Sequence, residues 1–136
     1  MSQGHIDLIR RGFEAFNRGD WDAALEFVAE DVVWGAYLAS MDGEREIFGH
    51  DSLRRTWQAQ RDDLGGDDFK IEARDIRDLG AGSLLVKLRV EGRGTASGVP
   101  VRLEYVQLVT MRGDVVVRLD NYASEAEALE AAGLRE

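Results

Sequence analysis

Residues 105–122 read YVQLVTMRGDVVVRLDNY, and a glycine between two β-branched, largely apolar runs marks a hairpin. A two-residue turn at Arg112-Gly113 sets Met111 opposite Asp114. Counting outward then pairs Val109 with Val116, Gln107 with Arg118, Tyr105 with Asp120 and Leu103 with Tyr122. Side chains alternate along a strand, so these residues share one face of mixed character. Val106, Leu108, Val115, Val117 and Leu119 share the other with Glu104, Thr110 and Asn121, and that face is largely apolar. Four polar groups on one face of a core hairpin exceed what packing needs, because each buried one left unsatisfied costs about 1 to 3 kcal/mol.

The hairpin strands run Val101 to Met111 and Asp114 to Tyr122, and two further strands precede them, Phe69 to Arg77 and Ser83 to Glu91, all separated by glycine-containing turns. The first half has a different period. Ile6, Ile9, Phe13 and Phe16 form one face of a helix that ends near Asn17 in NRGD. Asp20 is a candidate N-cap for a second helix with Trp21, Leu25 and Val28 inward. Val32 to Trp34 reads as a short strand, 35–49 as a loop, and HDSLRRTWQAQRDDLGG as a third helix burying Leu53, Trp57 and Leu64 before Gly65 and Gly66. SEAEALEAAGL supplies a tail helix. Helices followed by antiparallel strands indicate an α+β domain spanning 1–136, with no internal repeat or linker.

Composition narrows the partners. The chain has 136 residues, 44% of them hydrophobic, and a net charge of −9. That charge disfavours phosphate backbones and anionic lipid, so neither nucleic acid nor a membrane is expected as a partner. No run approaches the roughly 18 to 20 apolar residues that span a bilayer. Without cysteine there is no thiolate nucleophile or disulfide, and two histidines, His5 and His50, are too few for a transition-metal site. A carboxylate-only Mg²⁺ site stays open. The start, MSQGHIDLIRR, lacks the apolar run of a signal peptide, which makes a cytoplasmic location the expectation. The glycine stretches GAGS and GRGTASG read as turns, since neither opens a helix after a strand.

FNRGDWDAALEFVAEDVVW, FGHDSLRRTW, GRGTASG and MRGDVVVRLDNYASEAEALEAAGL together resemble the nuclear transport factor 2-like superfamily, and within it the SnoaL-like and ketosteroid-isomerase-like proteins. The resemblance covers nearly the whole chain and rests on fold phrases, which specify architecture better than chemistry. It implies a cone: a curved antiparallel sheet wrapped around three N-terminal helices, with a pocket at one end and, often, a dimer through the outer sheet face. It also implies that the mixed face of the hairpin is the inner one. Tyr122 and Asp120 fall on pocket-lining positions of ketosteroid isomerases and Tyr105 on the position of their oxyanion-hole acid. The apolar face is then a candidate homodimer surface. The same correspondence sets the isomerases' general-base aspartate on Ala36 and their first-helix tyrosine on Gly12, so steroid isomerisation by that machinery is not expected. Asp120 also matches an acid/base aspartate of limonene epoxide hydrolases, whose partner positions align here with the apolar row Leu84, Val86, Leu88 and Val90.

The candidate site follows. Asp120 is either a pocket carboxylate that moves protons or the counter-ion of Arg118. Tyr105 is either a hydrogen-bond donor to a developing oxyanion or a core tyrosine. Gln107, Arg118 and Tyr122 are candidates to orient a ligand, with Leu88 and Leu103 in the lining. Trp34, Tyr37 and Trp57 form either an aromatic wall for a flat apolar ligand or part of the core. His50 either titrates near neutrality or caps the third helix. Two functions fit. One is an isomerase, cyclase or hydrolase acting on a hydrophobic carbonyl- or epoxide-bearing metabolite; the other is a non-catalytic ligand-binding or accessory protein. Neither calls for a cofactor.

Overall fold

The computed structural model describes residues 2–35 and 46–133. The first helix, α1 (Ser2–Asn17), presents Ile9 and Phe16 to the core. It stops where Gly19 takes a φ of +74°, a conformation that costs a glycine little. Asp20 then caps the short α2 (Trp21–Ala24) by accepting from Ala23 N at 3.2 Å. The strand β1 (Val28–Gly35) and the three-residue β2 (Glu46–Phe48) follow, and α3 (Gly49–Asp63) closes the helical half. A 3₁₀ turn at Gly66–Asp68 leads into β3 (Lys70–Gly80), β4 (Ser83–Arg93), β5 (Pro100–Arg112), β6 (Val115–Tyr122) and α4 (Glu125–Ala131).

The six strands form one sheet in the order β2-β1-β6-β5-β4-β3. It curves around α1, α2 and α3, which gives the cone-like α+β fold the sequence implies. Two features differ from the expectation. The sheet is mixed, because β1 runs parallel to β6, with Trp34 beside Leu119 and Gly35 beside Asp120. And β2 occupies part of the stretch read as a loop. Both pairings join segments distant in sequence, where local pattern carries no information on direction.

Packing explains the layering. Phe16 meets Trp21, Trp57 and Phe69 edge-on at centroid distances of 5.2, 5.3 and 5.7 Å, contacts that contribute about 0.5 to 1.5 kcal/mol each beyond burial. Leu84, Val86 and Leu88 meet this cluster from β4 and Val109 from β5. At the far edge, the Asn17 amide imitates a strand: its Oδ1 accepts from Ile71 N at 2.8 Å and its Nδ2 donates to Ile71 O at 2.9 Å. The end of α1 is thereby fastened to edge strand β3. On the opposite face of the sheet, Leu85 and Val106 are covered by Ala128 of α4.

The β5–β6 register departs from the counted one. The turn residues are Gly113 and Asp114, so that Arg112 pairs with Val115 and Met111 with Val116. Gly113 has a φ of +62°, as the first central position of a type II′ turn requires. Beyond it the register slips once more, to Thr110 opposite Arg118, Val109 opposite Leu119 and Gln107 opposite Asn121. Val117 is the extra residue of a β-bulge. One inserted residue exchanges the faces of everything after it. Leu119 and Asn121 therefore face the helices with Gln107 and Tyr105, and Arg118, Asp120 and Tyr122 lie on the outer face.

Candidate functional site

Between α1, α3 and the inner face of the sheet lies a cavity of about 100 Å³, widening to about 830 Å³ of empty space when its open mouth is counted. Its walls are almost wholly apolar. Helix α1 contributes Leu8, Ile9, Gly12, Phe13 and Phe16 from one stripe, and Phe27 stands just before β1. Four of the candidates named from sequence are brought together here: Trp34, Trp57, Tyr105 and Gln107.

Their polar atoms differ in how they are satisfied. Gln107 and Asn121 are the buried polar residues among those described, and Gln107 Nε2 donates to Asn121 Oδ1 at 3.0 Å. They sit directly opposite each other in the register, so the pair serves as an internal rung of the sheet. Tyr105, partly buried, has no hydrogen-bond partner for its hydroxyl among the described residues, and burial pushes its pKa up to about 12. It stays protonated at neutral pH and acts as a donor, never as a base. Trp34 is only 6% exposed, and its indole Nε1 has no partner among the described residues. Trp21 shows the contrast, since its Nε1 donates to Gln58 Oε1 at 2.7 Å. Buried N–H groups are ordinarily satisfied, and an exception asks for a reason.

The acid/base candidate is elsewhere. Asp120 is held by Arg118 in a two-pronged pair on the outer face, Nε to Oδ2 at 2.8 Å and Nη2 to Oδ1 at 3.0 Å. The bulge at Val117 is the physical reason: without it Asp120 and Arg118 would face the cavity. The Asp120 carboxylate instead crosses the end of β1, where a Cβ on Gly35 would lie 2.3 Å from Oδ1. Of the two readings open from sequence, the counter-ion of Arg118 is the one the geometry supports. Tyr122 goes with it, packing on the cluster under α4. Burial raises its pKa first and the Asp120 charge second, against the opposing charge of Arg118.

The remaining candidates separate as well. Leu88 is a core residue, 2% exposed, and Leu103 is 36% exposed near the start of β5, outside the cavity. Tyr37 and Ala36 lie outside the described residues. His50 ties α3 to β1 through a 2.7 Å hydrogen bond between Nε2 and Val28 O. Val106 and Leu108, read as an uncovered apolar face, are 7% and 6% exposed within the chain itself. Val115 of the same set is 39% exposed. No helix among the described residues is long and apolar enough to cross a membrane, and none of their His, Asp and Glu side chains form a group of three or more suited to a metal.

Sequence reasoning missed Phe13, Phe16 and Phe27 as cavity walls. The helical stripe containing Phe13 and Phe16 was visible, but a stripe announces burial and does not distinguish a packed wall from an open one.

The comparisons agree with this architecture. A search of curated proteins found no match. Among solved structures, a ketosteroid isomerase-like fold protein from Catenulispora acidiphila, in complex with trimethylamine, superposes with a TM-score of 0.73 at 12% identity, covering 93% of this chain and 92% of that one. TerC co-crystallised with polyporic acid gives 0.75 at 19% identity over 93% and 96%. A protein of Xanthomonas campestris pv. campestris, assigned as a candidate polyketide cyclase, gives 0.70 at 25% identity over 92% and 93%. The sequence profile of the SnoaL-like domain matches residues 9–119, a span running from the cavity stripe of α1 to the inward-facing Leu119 of β6. The chain belongs to the SnoaL-like domain family.

Proposed function

We propose that the protein binds a neutral, mostly apolar small molecule carrying a carbonyl-type acceptor, in the cavity between α1, α3 and the sheet. The observation that carries the reading is the buried indole N–H of Trp34, a residue of the cavity wall, which has no partner among the described residues. A ligand oxygen accepting from it removes a desolvation cost of about 1 to 3 kcal/mol that the free protein bears. The Tyr105 hydroxyl is a second donor of the same polarity. The described lining carries no carboxylate, and its further polar side chains, Gln60 and Gln107, are neutral amides, so an uncharged ligand is favoured over a cation. The 25% identical neighbour assigned as a candidate polyketide cyclase fits this class, since polyketides carry carbonyl groups.

Such donors polarise a carbonyl but do not carry a proton away from carbon. With Asp120 paired on the outer face, the non-catalytic reading of the two is the one the arrangement supports: binding and holding the molecule. The test is a comparison of two ligands of similar shape. Methyl naphthyl ketone should bind the wild type roughly tenfold more tightly than isopropylnaphthalene, the worth of one recovered hydrogen bond. Trp34→Phe should erase that preference while leaving the hydrocarbon's affinity unchanged. Equal affinity of the wild type for the two compounds would contradict the proposal.

A further inference from the structure

Glycine in the middle of a helix is unfavourable, because it loses more backbone freedom on folding than alanine and packs nothing. Gly12 lies well inside α1. The described glycines of ordinary backbone conformation mostly have a steric reason for their identity. A Cβ on Gly35 would meet Asp120 at 2.3 Å, one on Gly92 would meet Leu64 O at 2.6 Å, and one on Gly94 would meet Ser97 Oγ at 2.6 Å. Among the described glycines of ordinary conformation, only Gly4 and Gly12 have nothing within 4 Å. Gly4 is exposed in the first turn, where any side chain would meet water; Gly12 is partly buried and lines the cavity.

The surroundings sharpen the anomaly. Leu8, Ile9, Phe13 and Phe16 are all large and apolar, and they bracket Gly12 on the cavity-lining stripe of the helix. The stripe is bare at its centre, and no described residue comes within 4 Å of where a Cβ on Gly12 would stand. A larger apolar residue there would extend the core and improve the helix at once. Folding therefore gives no reason for glycine, whereas a ligand lying flat against the helix backbone does.

We infer that Gly12 is the size-determining position of the cavity: its bare backbone forms the floor on which a flat molecule rests, and a large side chain there restricts the site to smaller ligands. The inference rests on the reading of the cavity as a ligand site and adds the dimension that reading leaves open. It makes Gly12 a specificity residue without a part in polarising the carbonyl.

The experiment uses Gly12→Ala and Gly12→Leu beside the wild type, with methyl naphthyl ketone and acetophenone as probes, followed by tryptophan fluorescence and thermal melts. Gly12→Ala should raise Tm by roughly 2 to 5 °C, the return of helix propensity at an unstrained site. Gly12→Leu should stay folded and lose about tenfold or more in affinity for methyl naphthyl ketone, the cost of overfilling, with acetophenone changed less than about threefold. A Gly12→Leu protein that binds methyl naphthyl ketone as the wild type does would overturn the role of Gly12 alone. A fall in Tm for Gly12→Ala would also overturn it, since the glycine would then be serving the fold. Failure of both probes to bind the wild type would instead overturn the cavity reading, and the inference with it.

Discussion

The two faces of the sheet around the β5–β6 hairpin use their polar side chains in different ways. On the outer face, Arg118 and Asp120 satisfy each other through two hydrogen bonds, and nearby Glu125 bonds both Arg77 and Lys87, which lower its carboxyl below the usual range. On the inner face, Gln107 and Asn121 satisfy each other, but the Trp34 indole has no partner, and neither does the Tyr105 hydroxyl among the described residues. Polar groups that close on themselves hold a structure together. Polar groups left open in an apolar cavity are available for recognition, at a cost in stability that the fold carries.

If the outer pair is structural, crowding it should damage the fold more than any change to the cavity. Gly35→Ala places a methyl group on the Asp120 carboxylate, and Asp120 is short and pinned by Arg118. We expect a loss of about 2 to 3 kcal/mol in urea unfolding, the usual cost of overpacking. Most of it should be recovered in Gly35→Ala/Asp120→Ala. An additive double variant would mean that the clash is relieved elsewhere.

The inner face should show its character in alkali. The pKa of Tyr105 is raised by burial from 10.0 to about 12 in the folded protein. A raised folded pKa contributes stability that is whole below the unfolded value and disappears as pH climbs through the folded one. Between about pH 10 and 12 the protein should therefore lose about 2 kcal/mol that Tyr105→Phe does not lose. Denaturant midpoints across that range, compared between the two proteins, measure the difference. Parallel profiles would place the Tyr105 hydroxyl in water.

Asp120→Asn comes next in size. Arg118 is 40% exposed at its side chain, so its charge is not stranded in a dry interior when the carboxylate is neutralised. We expect a loss of about 1 kcal/mol in thermal melts, with unchanged affinity for methyl naphthyl ketone. Weakened binding in this variant would bring Asp120 back into the site and contradict the assignment of faces.

Much of this was legible in the sequence, and what was missed has a compact cause. The helical stripes, the strand order along the chain and the inward row Leu84, Val86, Leu88 and Val90 follow from periodicity alone, as does the position of Trp34 and Trp57 among apolar neighbours. The bulge does not. Three consecutive valines, Val115 to Val117, present the same side chain to both faces, so a slip of one residue leaves the hydrophobic pattern unchanged. A signal was present after them: Leu119 stands between Arg118 and Asp120, and an apolar residue flanked by two charges is most simply placed inward, with the charges out. Counting outward from the turn with no bulge sets Arg118 and Asp120 on the face of Gln107 instead. The parallel pairing of β1 with β6 and the open floor at Gly12 depend on segments far apart in sequence, where neither propensity nor alternation reports.

The central claim is that the cavity recognises an acceptor through Trp34, and the indole N–H resonance of that residue tests it most directly. With the chain labelled in ¹⁵N and the three indole signals assigned through Trp34→Phe, titration with methyl naphthyl ketone should move the Trp34 N–H downfield as the hydrogen bond forms. Isopropylnaphthalene should produce no comparable shift. A Trp34 N–H that stays in place while methyl naphthyl ketone binds and perturbs Trp57 would contradict the account.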